Sequence, residues 1–268
     1  MGGLRLEGKS VLLTGATGGI GEAIARGLHA RGASVVLSGR RSEVLERLRD
    51  ELGDRADVEQ ADLTQRGDVE RLAGRVASVD VLVNNAALPA SGRLEEFTPE
   101  QLDRALDVNL RAPLQLGRAA AIAMVERGSG HMVFISSLSG KVATPGSALY
   151  SATKFGLRGM AAGLREDMAP HGIGVTTVFP GFIRDAGMFH EAGVELPRGV
   201  GTRTPDQVAA AVVGGIERGK DEVDVAPLAM RVGTVLSSVA PVTLAKIQRR
   251  LPSSKLSAEI AEGQADKR

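Results

Sequence analysis

The chain has no cysteine and no tryptophan, and only one tyrosine and six phenylalanines in 268 residues. Without cysteine there is no disulfide, no thiolate nucleophile and no Cys-ligated metal. Its four histidines are scattered and lack metal-ligand spacing, so no metal site is expected. Formal net charge is only +1, so no overall field draws the chain to nucleic acid or anionic lipid. No stretch reaches the roughly 18 uncharged apolar residues of a membrane span. The opening "MGGLRLEGKSVLLTG" leads from a short apolar run into a glycine loop, which suits a strand rather than a signal-peptide core. A cytoplasmic protein is the expectation. There is also no internal repeat and no interdomain linker.

What is present is alternation. "SVLLT" (10–14), "SVVLS" (34–38), "DVLVNN" (80–85), "HMVFISS" (131–137) and "GVTTVF" (174–179) have the β-branched, apolar character of buried strands. "DVEQA" (57–61) and "DEVDVA" (221–226) are weaker candidates. Helical stretches separate them, and glycines in "HARGAS", "DELGDR", "VERGSG", "PHGIGV" and "IERGKD" suit left-handed C-caps. "TPEQ" (98–101) and "TPDQ" (204–207) each supply an N-cap Thr, Pro at the first helical position and Gln for a capping box. The pattern predicts an α/β fold: a single-domain, doubly wound, mostly parallel Rossmann-like sheet over residues 1–226. An apolar and basic extension (227–252) and a small, polar tail (253–268), expected to fray, follow it.

"VLLTGATGGIGEAIARGL" is a strand, a glycine turn and a helix, with Gly15, Gly19 and Gly21 spaced G-x-x-x-G-x-G. Such a turn brings backbone N–H groups and a helix N-terminus to a pyrophosphate. A tight strand–helix connection would also need glycine. No Gly-Lys-Ser/Thr follows, so this is not a P-loop. At the end of the second strand, where NAD-binding folds usually carry an acid for the ribose 2′-OH, the run is "SVVLSGRR". Gly39 replaces the acid, and Arg40 and Arg41 can hold a 2′-phosphate. The expected cofactor is NADP(H). Asp62 either bonds the adenine amine or caps the next helix.

The single tyrosine, Tyr150, has Lys154 one helical turn on. A neighbouring ammonium favours phenolate, so Lys154 is expected to lower the Tyr150 pKa from about 10. A tuned phenol can exchange a proton with a carbonyl or alcohol oxygen. Ser137 ends the fifth strand, where open α/β sheets bind ligands, and its hydroxyl can hold the same oxygen.

Taken in order, Thr14-Gly15-x-x-x-Gly19-x-Gly21, Asn84-Asn85-Ala86, Asn109, Ser137, Tyr150-x-x-x-Lys154 and Pro180-Gly181 resemble the compact branch of the short-chain dehydrogenase/reductase family, over roughly residues 6 to 225. The resemblance implies that Tyr150 is the general acid/base and that Lys154 binds the nicotinamide ribose and acidifies Tyr150. It implies too that Ser137 positions the substrate oxygen and that Asn109 holds a proton-relay water. The cofactor-binding set it implies is Gly15, Thr17, Gly19, Ile20, Gly21, Arg40, Arg41, Asp62, Leu63, Asn85, Ala86, Tyr150, Lys154, Pro180, Gly181 and Ile183. It also implies a homo-oligomer, dimer or tetramer, assembled through helices over 98–127 and 150–170. Two departures stand out. Ala87 replaces a glycine in "NNAA". Asp185 occupies the position of a threonine that bonds the nicotinamide amide.

In "FIRDAGMFHEAGVELPRGVGTRTP", Phe182, Met188, Phe189 and Val194 suit an apolar substrate pocket or a lid packed on the sheet, and His190 a surface site. The expected substrate is a small-molecule carbonyl or alcohol of apolar character. "APLAMRVGTVLSSVAPVTLAKIQRRL" suits packing on the core or a twin subunit; covering the substrate mouth and lying on a membrane surface are weaker readings. Pro241 should break any helix there. A non-catalytic NADP(H)-binding regulator or scaffold is the main rival to an enzyme. A hydrolase would need a nucleophile elbow, which the chain lacks.

Overall fold

In the computed structural model, residues 3–194, 196, 201–239 and 259–264 are described. Seven strands form one parallel sheet: β1 (Ser10–Thr14), β2 (Ser34–Gly39), β3 (Ala56–Gln60), β4 (Val81–Asn84), β5 (His131–Ile135), β6 (Gly174–Pro180) and β7 (Glu222–Val225). Their order is β3-β2-β1-β4-β5-β6-β7, so the direction of winding reverses between β1 and β4. The seven expected strands are all present.

Strand parity divides the core. Val11 and Leu13 of β1, Val35 and Leu37 of β2, and Val133 and Ile135 of β5 face one side. There they meet α1 (Gly19–His29), α2 (Ser42–Leu52) and α8 (Pro205–Arg218). Leu12, Val36, Met132 and Phe134 face the other side, against α3 (Arg66–Val76), α5 (Ala112–Arg127) and α6 (Ala148–Met168). Continuous apolar strands are needed because both faces are covered.

Helix ends follow their local chemistry. Both capping boxes form: Thr98 opens α4 (Pro99–Leu106) and Thr204 opens α8. Gly128, Gly172 and Gly219 are left-handed caps. Gly53 departs from the expectation, because its φ of 75° is paired with a ψ of −153°, outside the αL region. Between α4 and α5, residues Asp107–Arg111 form a π-helical turn.

The C-terminal part corrects two expectations. Helix α9 (Leu228–Val239) sends Met230, Gly233, Thr234 and Ser237 into a cleft beside β5 and β6, so the extension covers a pocket mouth rather than only packing on core. Of the tail expected to fray, residues 259–263 form a helical turn, with Ala261 and Gln264 buried, and the rest of 253–268 lies outside the described residues. Pro241, Lys246, Arg249 and Arg250 lie outside the described residues. Among the described residues, no helix is long and apolar enough to cross a membrane, and no group of three or more His, Asp or Glu side chains is placed to hold a metal.

At the start of β5, His131 is fully buried. Its Nε2 lies 2.8 Å from Thr176 Oγ1, which itself donates to the Lys220 carbonyl at 2.6 Å. Thr176 therefore accepts, and the imidazole carries its proton on Nε2. Burial pushes the His131 pKa down to about 4. The unfolded chain takes up this proton near pH 6.5, so folding stability from this site is complete above pH 6.5 and is lost as pH falls toward 4. The loss should reach about 3 kcal/mol, at about 1.4 per unit. Denaturant melts of wild type and His131→Gln across pH 4–7.5 should diverge in that window, with the variant flatter.

Candidate active site

Two adjoining clefts open at the carboxyl ends of the strands. The first, about 680 Å³, lies at the β1/β4 reversal. Gly15, Thr17, Gly19, Ile20, Gly21, Arg40, Arg41, Asp62, Leu63, Asn85 and Ala86 all line it, so the expected cofactor set through Ala86 converges on one space. The second, about 490 Å³, is lined by Ser137, Tyr150, Lys154, Pro180, Gly181 and Ile183. Ile20, Asn85, Ala87, Gly187, Met188 and Gln264 belong to both.

The floor of the first cleft is bare backbone by necessity. Gly15 has φ 67°, and a methyl there would lie 2.7 Å from the Ala86 Cα. A methyl on Gly21 would stand 2.0 Å from the Gly15 carbonyl oxygen. The first-turn N–H groups of α1 thus face open space without intrahelical partners. Thr14 locks the neighbouring loop: its Oγ1 accepts from Asn85 N at 3.0 Å and Ala86 N at 3.1 Å. Asn85 Nδ2 returns two bonds of 3.1 Å to the Thr14 and Gly15 carbonyls. These features fit a dinucleotide pyrophosphate.

At the β2 end, a methyl on Gly39 would approach Thr17 Cγ2 to 2.9 Å, so the position has no room for an acidic side chain without a shift. Arg40 and Arg41 are both exposed at the rim. The Arg41 guanidinium donates to the Thr17 carbonyl. Asp62 is not an N-cap: its carboxylate accepts from Thr64 N and Oγ1, and Gln65 is the cap of α3.

In the second cleft, Tyr150 and Lys154 occupy successive turns of α6. Lys154 is buried, and its ammonium donates to the Ile135 carbonyl at 3.1 Å and lies 5.6 Å from the Tyr150 ring centroid. Ser136 Oγ donates to the Lys154 carbonyl at 3.0 Å, tying α6 to the end of β5. Ser137 Oγ accepts from Ser139 N at 3.1 Å and lies 3.5 Å from the Pro180 carbonyl, and its nearness to Tyr150 favours the phenolate. The expected acidification of Tyr150 by Lys154 is corrected, however. Burial dominates and pushes Tyr150 up to about 12, while it lowers Lys154 to about 8. Desolvation penalises each charged form more than the pair compensates.

Asn109 lies outside both clefts. It is buried in the π turn, where Oδ1 accepts from Leu88 N at 2.6 Å and Nδ2 donates to Leu88 O at 2.9 Å. Its side chain anchors the "NNAALP" loop and, buried, lines neither cleft. Asp185 is exposed, pairs with Arg184 and lines neither cleft; at φ 69° it turns the chain. Phe182, Met188 and Phe189 line the second cleft, with the two phenylalanine rings 4.9 Å apart, but Val194 does not. His190 is exposed. The sequence reading missed Met230, Thr234, Ser237, Ile260 and Gln264. The apolar run over 228–239 marked the stretch but not which of its residues face the cleft; nothing in the polar tail singled out Gln264.

The model of the short chain dehydrogenase family matches residues 9–195. The chain belongs to that family and is an oxidoreductase of it. Nodulation protein G of Rhizobium sp. (strain N33) is 42% identical over 185 residues, covering 68% of this chain and 76% of that protein. The 3-oxoacyl-(acyl-carrier-protein) reductase FabG of Rickettsia conorii (strain ATCC VR-613 / Malish 7) is 38% identical over 179 residues, covering 67% and 74%. Among solved structures, a short-chain dehydrogenase from Sphingobium yanoikuyae in complex with NADPH superposes with TM-score 0.76 at 30% identity, covering 88% of this chain and 95% of that one.

Keeping Lys154 in the cleft costs stability. Its folded pKa of about 8 lies below the ordinary 10.5, so the unfolded chain binds this proton more tightly. Stability is lost as pH falls from 10.5 to 8 and stays lost below. Lys154→Met should therefore gain about 2 kcal/mol at pH 7, after allowing for the lost bond to Ile135. The gain should vanish by pH 10.5, as read from denaturation midpoints.

Proposed function

We propose that the chain is an NADP(H)-dependent oxidoreductase acting on the carbonyl or secondary alcohol of an apolar small molecule. One observation carries this reading: the only tyrosine, beside Ser137 and backed by Lys154, lines an apolar cleft adjoining a glycine-floored one. Gly15 to Gly21 would hold the pyrophosphate, Asp62 and Leu63 would flank the adenine, and Lys154 would bond the ribose. When bound, nicotinamide supplies a hydride donor or acceptor. Ser137 would hold the substrate oxygen, and Tyr150 would give it a proton during reduction or take one during oxidation. Any proton relay near Asn109 would run through backbone rather than its amide.

NADP(H) is favoured over NAD(H) by the crowded Gly39 position and the exposed Arg40. Arg41 is partly spent on Thr17. The complex of the Sphingobium relative with NADPH agrees. Leu138, Val142, Phe182, Met188, Phe189 and Met230 give the second cleft its apolar character. Exposed Leu114 and Ile122 on α5 and Phe155 on α6 suit a dimer or tetramer.

The test is a panel of carbonyls and alcohols with NADPH and NADP⁺. Tyr150→Phe should lose at least about 100-fold in kcat while its NADPH Kd, from fluorescence titration, changes little. Tight NADPH binding with no turnover on any panel member would instead favour the regulatory or scaffolding role. Arg40→Asp should weaken NADPH binding by about tenfold or more and leave NADH nearly unchanged. An unaltered NADPH/NADH ratio would reject the 2′-phosphate role.

A further inference from the structure

Residues 259–264 return to the catalytic face from far along the chain. A methyl on Gly263 would lie 2.4 Å from the Ala192 carbonyl oxygen, just past α7 (Gly187–Glu191), so the segment sits close on that loop. Gln264 is 4% exposed, and its Nε2 donates to the Met188 carbonyl at 3.1 Å. A carbonyl only accepts, so the nitrogen must be the atom that faces Met188. The Oε1 atom is left buried, with no hydrogen-bond partner among the described residues. A buried acceptor without a donor is unfavourable, and a donor arriving with a ligand would relieve it.

The place of Gln264 narrows what that ligand is. It is one of six residues shared by the two clefts. A dinucleotide with its pyrophosphate on the glycine turn must carry its pyridine ring past this junction to reach Tyr150. Of the shared residues, only Asn85 and Gln264 have polar side chains, and of these two only Gln264 holds a buried acceptor without a partner among the described residues. The pyridine ring carries a carboxamide whose nitrogen offers two N–H donors.

We propose that Gln264 is a cofactor-binding residue whose amide oxygen accepts an N–H from the nicotinamide carboxamide, so that segment 259–264 closes the junction on the bound ring. This rests on the nicotinamide reading above. Gln264 thereby joins the α7 loop, through Met188, to the ring.

Equilibrium binding tests it without relying on turnover. Kd values for NADP⁺ and for its 3-acetylpyridine analogue, in which a methyl replaces the carboxamide NH₂, are measured on wild type, Gln264→Leu and Gln264→Met. The preference of wild type for NADP⁺ over the analogue should shrink by about tenfold in both variants. Equal weakening of both ligands would reduce Gln264 to packing and overturn the proposal, as would an unchanged preference. Wild type that binds neither NADP⁺ nor NAD⁺ overturns the cofactor reading and this inference together. Wild type that binds NADP⁺ with a preference untouched by either substitution overturns this inference alone. The methionine variant keeps side-chain length, so a packing defect peculiar to leucine is separable.

Discussion

The pairing of a half-buried Tyr150 with a buried Lys154 is the constraint around which the site is arranged. The phenol is driven up to about 12 and the ammonium down to about 8, so the surroundings pull both groups toward neutrality. Proton exchange near neutral pH requires the opposite, a phenol about five units more acidic, or about 7 kcal/mol of differential stabilisation. Lys154 sits 5.6 Å from the ring centroid and is tied to Ile135, so it contributes only part. Where the phenol is partly desolvated, a further positive charge acts with more force than it would in water. On the proposed reading, the oxidised pyridinium ring supplies that charge.

The sheet determines where this can happen. Reversal of winding between β1 and β4 splays the connections apart and leaves a crevice at the strand ends. Thr14 spans the crevice by accepting from two backbone N–H groups of the loop after β4. Asn109 holds that loop from the other side by gripping both polar atoms of the Leu88 backbone. The π turn around Asn109 is consistent with this anchoring role, since π turns are often found at functional positions. Side chains named as catalytic by pattern thus divide into two kinds: Tyr150 and Ser137 enter the cleft, while Asn109 shapes its wall.

Strands, capping boxes and the glycine turn were legible in the sequence because each rests on local chemistry. A β-branched run such as "SVLLT" has few alternatives, and Thr-Pro-x-Gln carries its own hydrogen bonds. Tyr150 and Lys154 were legible by helical spacing. The direction of the Tyr150 shift was not, because spacing reports proximity and not desolvation. Val194 and Asp185 were misplaced for a related reason: they lie in a loop whose course is set by tertiary contacts such as the Ile183–Arg203 bridge. Gln264 was invisible because a polar tail shows no periodicity, and its contact with Met188 spans 76 residues.

Helix α9 explains why its sequence supported three readings at once. Met230, Thr234 and Ser237 face the cleft, yet Leu228, Val232, Val235 and Leu236 are exposed on the outer side. Both faces are rich in apolar residues, so no single amphipathic direction could be drawn from the pattern. The helix also lies beyond residues 9–195, the region that matches the family. The second cleft is therefore lined from both parts of the chain. Helix α6 and the end of β5, within the family region, carry Tyr150, Lys154 and Ser137, and a roof from outside it lends Met230, Thr234 and Ser237 to the pocket. A roof of this kind can be changed without disturbing the glycine turn or Tyr150, because none of the hydrogen bonds that set those groups involves α9.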